Sequence, residues 1–195
     1  QQAKELFDAG GEDSETIRHS LTRAQEETMR TARITDNALR LSSMQENRQE
    51  MKPLDIAALL VTCAEAYRIL LEKRGNRLVV NIADRLPPVS GSADSLIQVM
   101  VNLLSNANTH TKNGEIVVAA KTDKKFIRVT VTDNGSGISP ELLPVVFERQ
   151  ISGGGSTGIG LAICKEIVSS HNGTIEIESE LGKGTTVAFR IPQGK

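Results

Sequence analysis

Along the first fifty residues, apolar and small positions return every third or fourth residue while the rest of the surface is polar and charged. Ile17, Leu21, Ala24, Thr28, Ala32, Thr35 and Leu39 form one such seam, the spacing of a bundle or coiled-coil helix. Asp13 or Ser14 stands where an N-cap belongs, so a long helix is predicted from there to about Asn47. The opening QQAKELFD reads as the tail of a preceding antiparallel helix, with AGGE as the hairpin turn. A lone hairpin buries such a seam poorly, and the expected partner is most simply a second copy of itself. The abrupt start in mid-helix also suggests a fragment of something longer.

From Lys52-Pro53 onward the pattern changes. Helical periodicity predicts helices over 55–73, 94–109 and 157–171, with a short one after Pro140. Alternation of apolar and polar positions predicts strands over 77–82, 115–122, 126–133, 174–180 and 185–191. Asp123-Lys124-Lys125 turns the middle hairpin. Helices interspersed with mostly antiparallel strands give an α/β class: a two-layer α/β sandwich over residues 51–195, with helices on one face of a mixed sheet. A partial helical hairpin over residues 1–50 precedes it. There is no internal repeat.

Composition narrows the function classes. A net charge of −1 leaves no overall basic field for nucleic acid or an anionic membrane. Cys63 and Cys164 lie far apart in apolar stretches, so they read as buried free thiols of a reducing compartment, not as a metal pair. No signal peptide and no apolar run of about 18 residues occurs. The chain as given is therefore expected to be cytoplasmic, with any membrane attachment supplied by segments upstream.

Four segments carry candidate chemistry. In VTVTDNGSGI, residues 129–138, an alternating strand ends on Asp133 and passes at once into Asn134-Gly135-Ser136-Gly137. Either Asn-Gly makes a plain tight turn, or something planar and polar docks on Asp133 while Gly135 and Gly137 keep the backbone clear. In NLLSNA, Asn102 and Asn106 are four apart and share a helix face. They either face solvent or, beside Leu103 and Leu104, offer amides that need partners; an amide oxygen is a serviceable hard ligand for Mg²⁺. In GGGSTGIGLAI, residues 153–163, glycines lead straight into a helix start, which presents free N–H groups to an anion. That stretch lacks the strand and trailing acid of a dinucleotide fingerprint and the Lys-Ser/Thr of a P-loop. In GKGTTVAFRIP, Gly182 and Gly184 suit a turn, and Thr185 and Thr186 offer hydroxyls to a ligand.

In this order, the four segments resemble the ATP-binding domain of sensor histidine kinases, within the GHKL superfamily that also holds gyrase, the heat-shock-90 chaperones and the MutL repair proteins. The resemblance spans residues 52–192. It implies that Asp133 accepts a hydrogen bond from the adenine amine, with Gly135 and Gly137 admitting the ring. It also implies that Asn106 is a Mg²⁺ ligand with Asn102 as its companion, and that Gly158 and Gly160 open the phosphate-facing helix. Thr185 or Thr186 corresponds to a hydroxyl near the base, and residues 139–156, with Phe147, to a lid. The hairpin of residues 1–50, followed by SSMQENRQEMKPLDI, resembles the second half of the dimerisation-and-phosphotransfer hairpin that precedes this domain in such kinases, implying a homodimer in the full-length protein. The implied activity is positioning of Mg·ATP for γ-phosphoryl transfer to a histidine outside this chain, and onward to a response regulator.

Several positions depart from the family pattern. His19 lacks the neighbouring acid and Pro of the acceptor motif and falls early in the second helix, so the acceptor is expected upstream and no residue of this chain is put forward as catalytic. His110 and His171 read as surface or cap residues. Thr109 stands where relatives often carry a Lys that reaches the phosphates, Lys112 lies nearby, and the short QISGGGST leaves Arg149 as the lid's only arginine. These losses keep open a degenerate module that binds nucleotide or a partner without catalysis. Hydrolytic members carry a water-activating Glu where this chain has Asn102, and a neutral amide takes no proton at working pH.

Overall fold

The computed structural model describes residues 51–148 and 159–194. The hairpin predicted over residues 1–50, His19 included, lies outside the described residues, as do Arg149 and Gly158. The elements run β1 (Lys52–Leu54), α1 (Ile56–Glu72), β2 (Arg77–Ile82), β3 (Val89–Gly91), α2 (Ala93–His110), β4 (Glu115–Asp123), β5 (Phe126–Asp133), a 3-10 turn (Leu143–Val145), α3 (Gly160–Ser170), β6 (Thr174–Glu180) and β7 (Gly184–Pro192).

Local chemistry sets the helix starts. Asp55 caps α1 by accepting the Ala58 N–H at 3.0 Å, and Ser92 caps α2 by accepting the Ser95 N–H at 3.4 Å. The main sheet has the order β2-β4-β5-β7-β6. Only β2 and β4 pair parallel; the other three pairs are antiparallel. The parallel pair needs a crossover, and α2 supplies it.

Alternation on β5 aims Ile127, Val129 and Val131 at the helical layer, where all three are buried. Leu60 of α1, Met100 and Leu104 of α2, Ile167 of α3 and Phe189 of β7 complete that core. Helix α2 packs against both α1 and α3. Burial of each such side chain stabilises by about 1.5–3 kcal/mol, so one continuous apolar layer holds helices and sheet together. Cys63 and Cys164 are buried within it as free thiols. This is the two-layer α/β sandwich that the periodicity predicts.

Two features differ from the sequence reading. Strands β1 and β3, each three residues long, are too short for a period to register. They pair with each other in a separate antiparallel ribbon, Lys52 opposite Gly91 and Leu54 opposite Val89. The end of the chain joins them: Val89 bridges to Gln193, and the Gly194 N–H donates to the Pro88 carbonyl at 2.7 Å. The short helix after Pro140 is the single 3-10 turn, with Pro144 at its start. Among the described residues no helix is long and apolar enough to cross a membrane.

Candidate functional site

Asp133 is the fourth inward position of β5, after Ile127, Val129 and Val131. The row that builds the core therefore ends on a carboxylate. Beyond it the sheet and helices diverge around a cavity of about 390 Å³. Asp133, 8% exposed, lies in its wall with Asn106, His110, Gly137 and Thr185, and apolar side chains supply most of the remainder. Such a pocket, mostly apolar with a few convergent polar groups, suits a small planar ligand.

The Asp133 carboxylate has an unusual environment. Its Oδ1 accepts the Gly135 N–H at 2.9 Å, and among the described residues no ion pair reaches it. Burial pushes its pKa above the ordinary carboxylate value; the Gly135 N–H, the Thr111 hydroxyl, the charge of His110 and the Thr185 N–H offset only part of that rise. The Thr111 hydroxyl is itself buried without a hydrogen bond of regular geometry. A half-satisfied carboxylate beside an orphaned hydroxyl at the wall of an apolar cavity calls for a donor from outside.

Of the two readings of Asn134-Gly135, the local turn is seen directly. Gly135 N–H closes a local turn onto Asp133, as an Asx-turn does. Asn134 ties the segment to the sheet instead of turning a hairpin, its Oδ1 accepting the Glu115 N–H at 2.7 Å. The glycines answer to neighbouring backbone more than to a ligand. A Cβ on Gly135 would run into the His110 carbonyl, and one on Gly137, at φ +67°, into the Glu180 carbonyl. They let the loop seat between the end of α2 and the β6–β7 turn, where Ser136 N–H reaches the His110 carbonyl at 3.0 Å.

The sheet separates the two threonines. Thr185 pairs opposite Asp133 and lines the cavity. Thr186 does not: it lies on the other face of β7, its hydroxyl 3.1 Å from that of Thr132. Ser179, which the sequence reading missed, organises the cavity side. Its Oγ donates to the Gly184 carbonyl at 2.8 Å and accepts the Ile138 N–H at 2.8 Å. The remaining Ser179 lone pair accepts from the Thr185 hydroxyl at 2.9 Å, which leaves the Thr185 oxygen as an acceptor.

The two asparagines also part company. Asn106 is at the cavity, and among the described residues no hydrogen bond engages its amide. Asn102 is not in the cavity wall. Its Nδ2 donates to the Gly160 carbonyl at 3.3 Å, its Oδ1 accepts from Gln98 at 3.3 Å, and it reaches the Cys164 thiol, whose pKa burial pushes up to about 12. Gly160 is the first residue of α3; a Cβ there would make ordinary contact with Asn102, so packing alone does not demand glycine. Thr109 turns its hydroxyl back to the Ser105 carbonyl at 2.8 Å. His110, read as a surface or cap residue, is the last residue of α2 and lines the cavity; the cavity rim of Leu142 and Leu181, 40% and 64% exposed, was not singled out in the sequence. Phe147 carries the Lys165 ammonium 6.0 Å from its ring centre.

For His171, read as a surface or cap residue, the cap holds and the surface does not. It is the C-cap of α3, but only 3% exposed.

No group of three or more His, Cys, Asp or Glu stands close enough to hold a metal among the described residues. Asn106 as a lone protein oxygen fits a Mg²⁺ that keeps its waters and arrives with phosphates, not one caged by protein.

A family model described as histidine kinase-, DNA gyrase B- and HSP90-like ATPase matches residues 91–195. Among curated proteins, the probable sensor histidine kinase TcrY of Mycobacterium tuberculosis is 34% identical over 96% of this chain and 41% of its own length. The sensor protein SrrB of Staphylococcus aureus is 33% identical over 91% and 32%. The chain thus spans about a third to two fifths of the length of these relatives. Among solved structures, full-length ShkA in complex with AMPPNP superposes with a TM-score of 0.70 at 25% identity, over 76% of this chain and 32% of that one. The histidine kinase ThkA in complex with the response regulator TrrA gives 0.72 at 22% identity, over 86% and 49%, and shows likeness of fold.

Proposed function

We propose that this chain, which belongs to the histidine kinase-, DNA gyrase B- and HSP90-like ATPase family, is the ATP-binding catalytic part of a sensor histidine kinase. The observation that carries the reading is Asp133. A buried carboxylate, whose one hydrogen bond of regular geometry among the described residues comes from the Gly135 N–H, faces an apolar cavity. An adenine ring fills such a cavity, its amine donates to the carboxylate, and a guanine carbonyl at the same place meets lone-pair repulsion. Thr185 adds a second acceptor at the base. Asn106 provides the amide oxygen for Mg²⁺, and the ion, when bound, neutralises phosphate charge. Gly160, the first residue of α3, opens the helix that faces the phosphates.

The work of such a site is positioning. The γ-phosphoryl passes to a histidine outside this chain, then to an aspartate of a response regulator, the class of partner with which ThkA was crystallised. The full-length protein acts as a homodimer through the hairpin predicted over residues 1–50. Efficient hydrolysis is not expected, because Asn102 is neutral and its amide is occupied by Gly160 and Gln98. A second reading, a module that binds nucleotide without transfer, draws on Thr109, whose hydroxyl is spent within its own helix.

The first test is a calorimetric titration with Mg·ADP, with Mg·GDP as control. Saturable binding of ADP with GDP silent is the expected result, and a folded chain that binds neither overturns the nucleotide reading. Acid-labile labelling from γ-labelled ATP in a chain extended through the upstream helix then separates kinase from binding module.

A further inference from the structure

Helices α2 and α3 form adjoining walls of the cavity, α2 through Leu103, Asn106 and Ala107 and α3 through Leu161. Polar ties join the two helices at both ends of α3. At the cavity end, Asn102 of α2 holds the carbonyl of Gly160, the first residue of α3. At the far end the tie is the buried imidazole of His171. Its Nδ1 lies 2.8 Å from the Ile167 carbonyl of its own helix, and its Nε2 lies 3.0 Å from the backbone nitrogen of Ser92, the N-cap of α2.

Those two partners fix the chemistry of the ring. A carbonyl only accepts and a backbone N–H only donates, so Nδ1 carries the hydrogen and Nε2 the lone pair. The imidazole is neutral and in a single tautomer. In a capping box, an acidic or amide side chain three residues into the helix returns to the N-cap N–H. In α2 that position is Ser95, whose hydroxyl bonds the Ser92 hydroxyl at 3.1 Å instead. His171 supplies the missing half of the box from another helix. The preceding strand is fitted to it: a Cβ on Gly91 would lie 3.0 Å from the imidazole Cδ2.

We propose that His171 is a positioning residue for the nucleotide site: its neutral imidazole caps the start of α2 from the end of α3, and so fixes the spacing of the two helices that wall the cavity. The proposal rests on the nucleotide reading above. With 11 residues in α3, the tie acts from about 16 Å along the helix, and it touches no ligand.

The test combines Mg·ADP titration of the wild type, His171→Phe and His171→Gln with amide exchange at Ser92. In the wild type the Ser92 amide exchanges slowly, and bound ADP slows it further, because coupling between two sites is reciprocal. His171→Phe keeps the ring's bulk without its nitrogens. It is expected to weaken ADP binding by about tenfold and to uncouple Ser92 exchange from ADP. In His171→Gln the amide oxygen accepts and the nitrogen donates, so affinity recovers in part. A folded His171→Phe that binds ADP as tightly as the wild type overturns the proposal. If that variant does not fold, the wild type decides: Ser92 exchange indifferent to bound ADP also overturns it. A folded wild type that binds no ADP is a different failure, of the nucleotide reading itself.

Discussion

Replacing Asp133 by Asn is the most revealing perturbation of the site, because the two side chains have the same shape and differ in what they offer. In the aspartate, Oδ1 takes the Gly135 N–H at 2.9 Å while the carboxylate still has lone pairs for a ligand amine. An asparagine has one oxygen. If that oxygen keeps the Gly135 N–H, the amide nitrogen turns to the ligand and sets donor against donor. If it serves the ligand instead, the amide nitrogen opposes the Gly135 N–H. Either way a charge-assisted hydrogen bond is lost, worth about 1.5–3 kcal/mol, or roughly 10- to 150-fold in Kd for ADP. The same NH2 is complementary to a guanine carbonyl, so the gap between ADP and GDP narrows from both sides. The unliganded variant is expected to melt at an equal or higher temperature, since burial disfavours the charge that it removes. Calorimetric titration of both proteins with Mg·ADP and Mg·GDP, beside thermal melts, reads all three effects. An Asp133→Asn protein that binds ADP within twofold of wild type would show that the amine does not sit on Asp133.

Other outcomes follow from the same geometry. Because the fold raises the Asp133 pKa, the folded state binds more protons than the unfolded one between the ordinary carboxylate value and the raised one. The Asp133 contribution to stability therefore grows as pH falls through that window, measured as the difference in unfolding free energy between wild type and Asp133→Asn. ADP affinity falls over the same interval as the acceptor is protonated. Thr185→Val is expected to weaken ADP binding several-fold by removing an acceptor worth about 1 kcal/mol, whereas Thr186→Val, on the far face, leaves the Kd unchanged in the same titration. Asn106→Ala should abolish the gain in ADP affinity that Mg²⁺ confers, about 10-fold or more, and leave metal-free binding intact.

What could be read in the sequence was whatever lies along one element. The alternation of β5 exposed Asp133 as the polar end of an apolar row, and the four-residue spacing put Asn102 and Asn106 on one face. Some misses had signals of the same kind. Val187, Phe189 and Ile191 share parity with Thr185, which places Thr185 inward and Thr186 outward. Ile175 and Ile177 extend to Ser179 in the same way. Cys164, Ile167 and Val168 lead at helical spacing to His171, so its burial was written in the stripe. His110 continues the row of Asn102 and Asn106. Other features depend on contacts between distant segments and leave no local trace. Gly135 is required by a carbonyl of α2 and Gly137 by one at the end of β6. The β1–β3 ribbon is too short to carry a period, and Asn102 is claimed by a helix start 58 residues away.

That ribbon has an engineering consequence. The chain comes in along β1, and its last described residues, Gln193 and Gly194, are fastened to β3 and to Pro88 beside it. Both ends of the unit thus meet on one seam, as in cassettes that tolerate circular permutation. Joining residue 194 to residue 52 through a short Gly/Ser linker and reopening the chain at the exposed Lys124-Lys125 turn should give a permutant that folds and still binds ADP. The same arrangement makes the unit exchangeable: it can be lifted out of one polypeptide and set into another by a single pair of adjacent joints, with the nucleotide cavity left uncut.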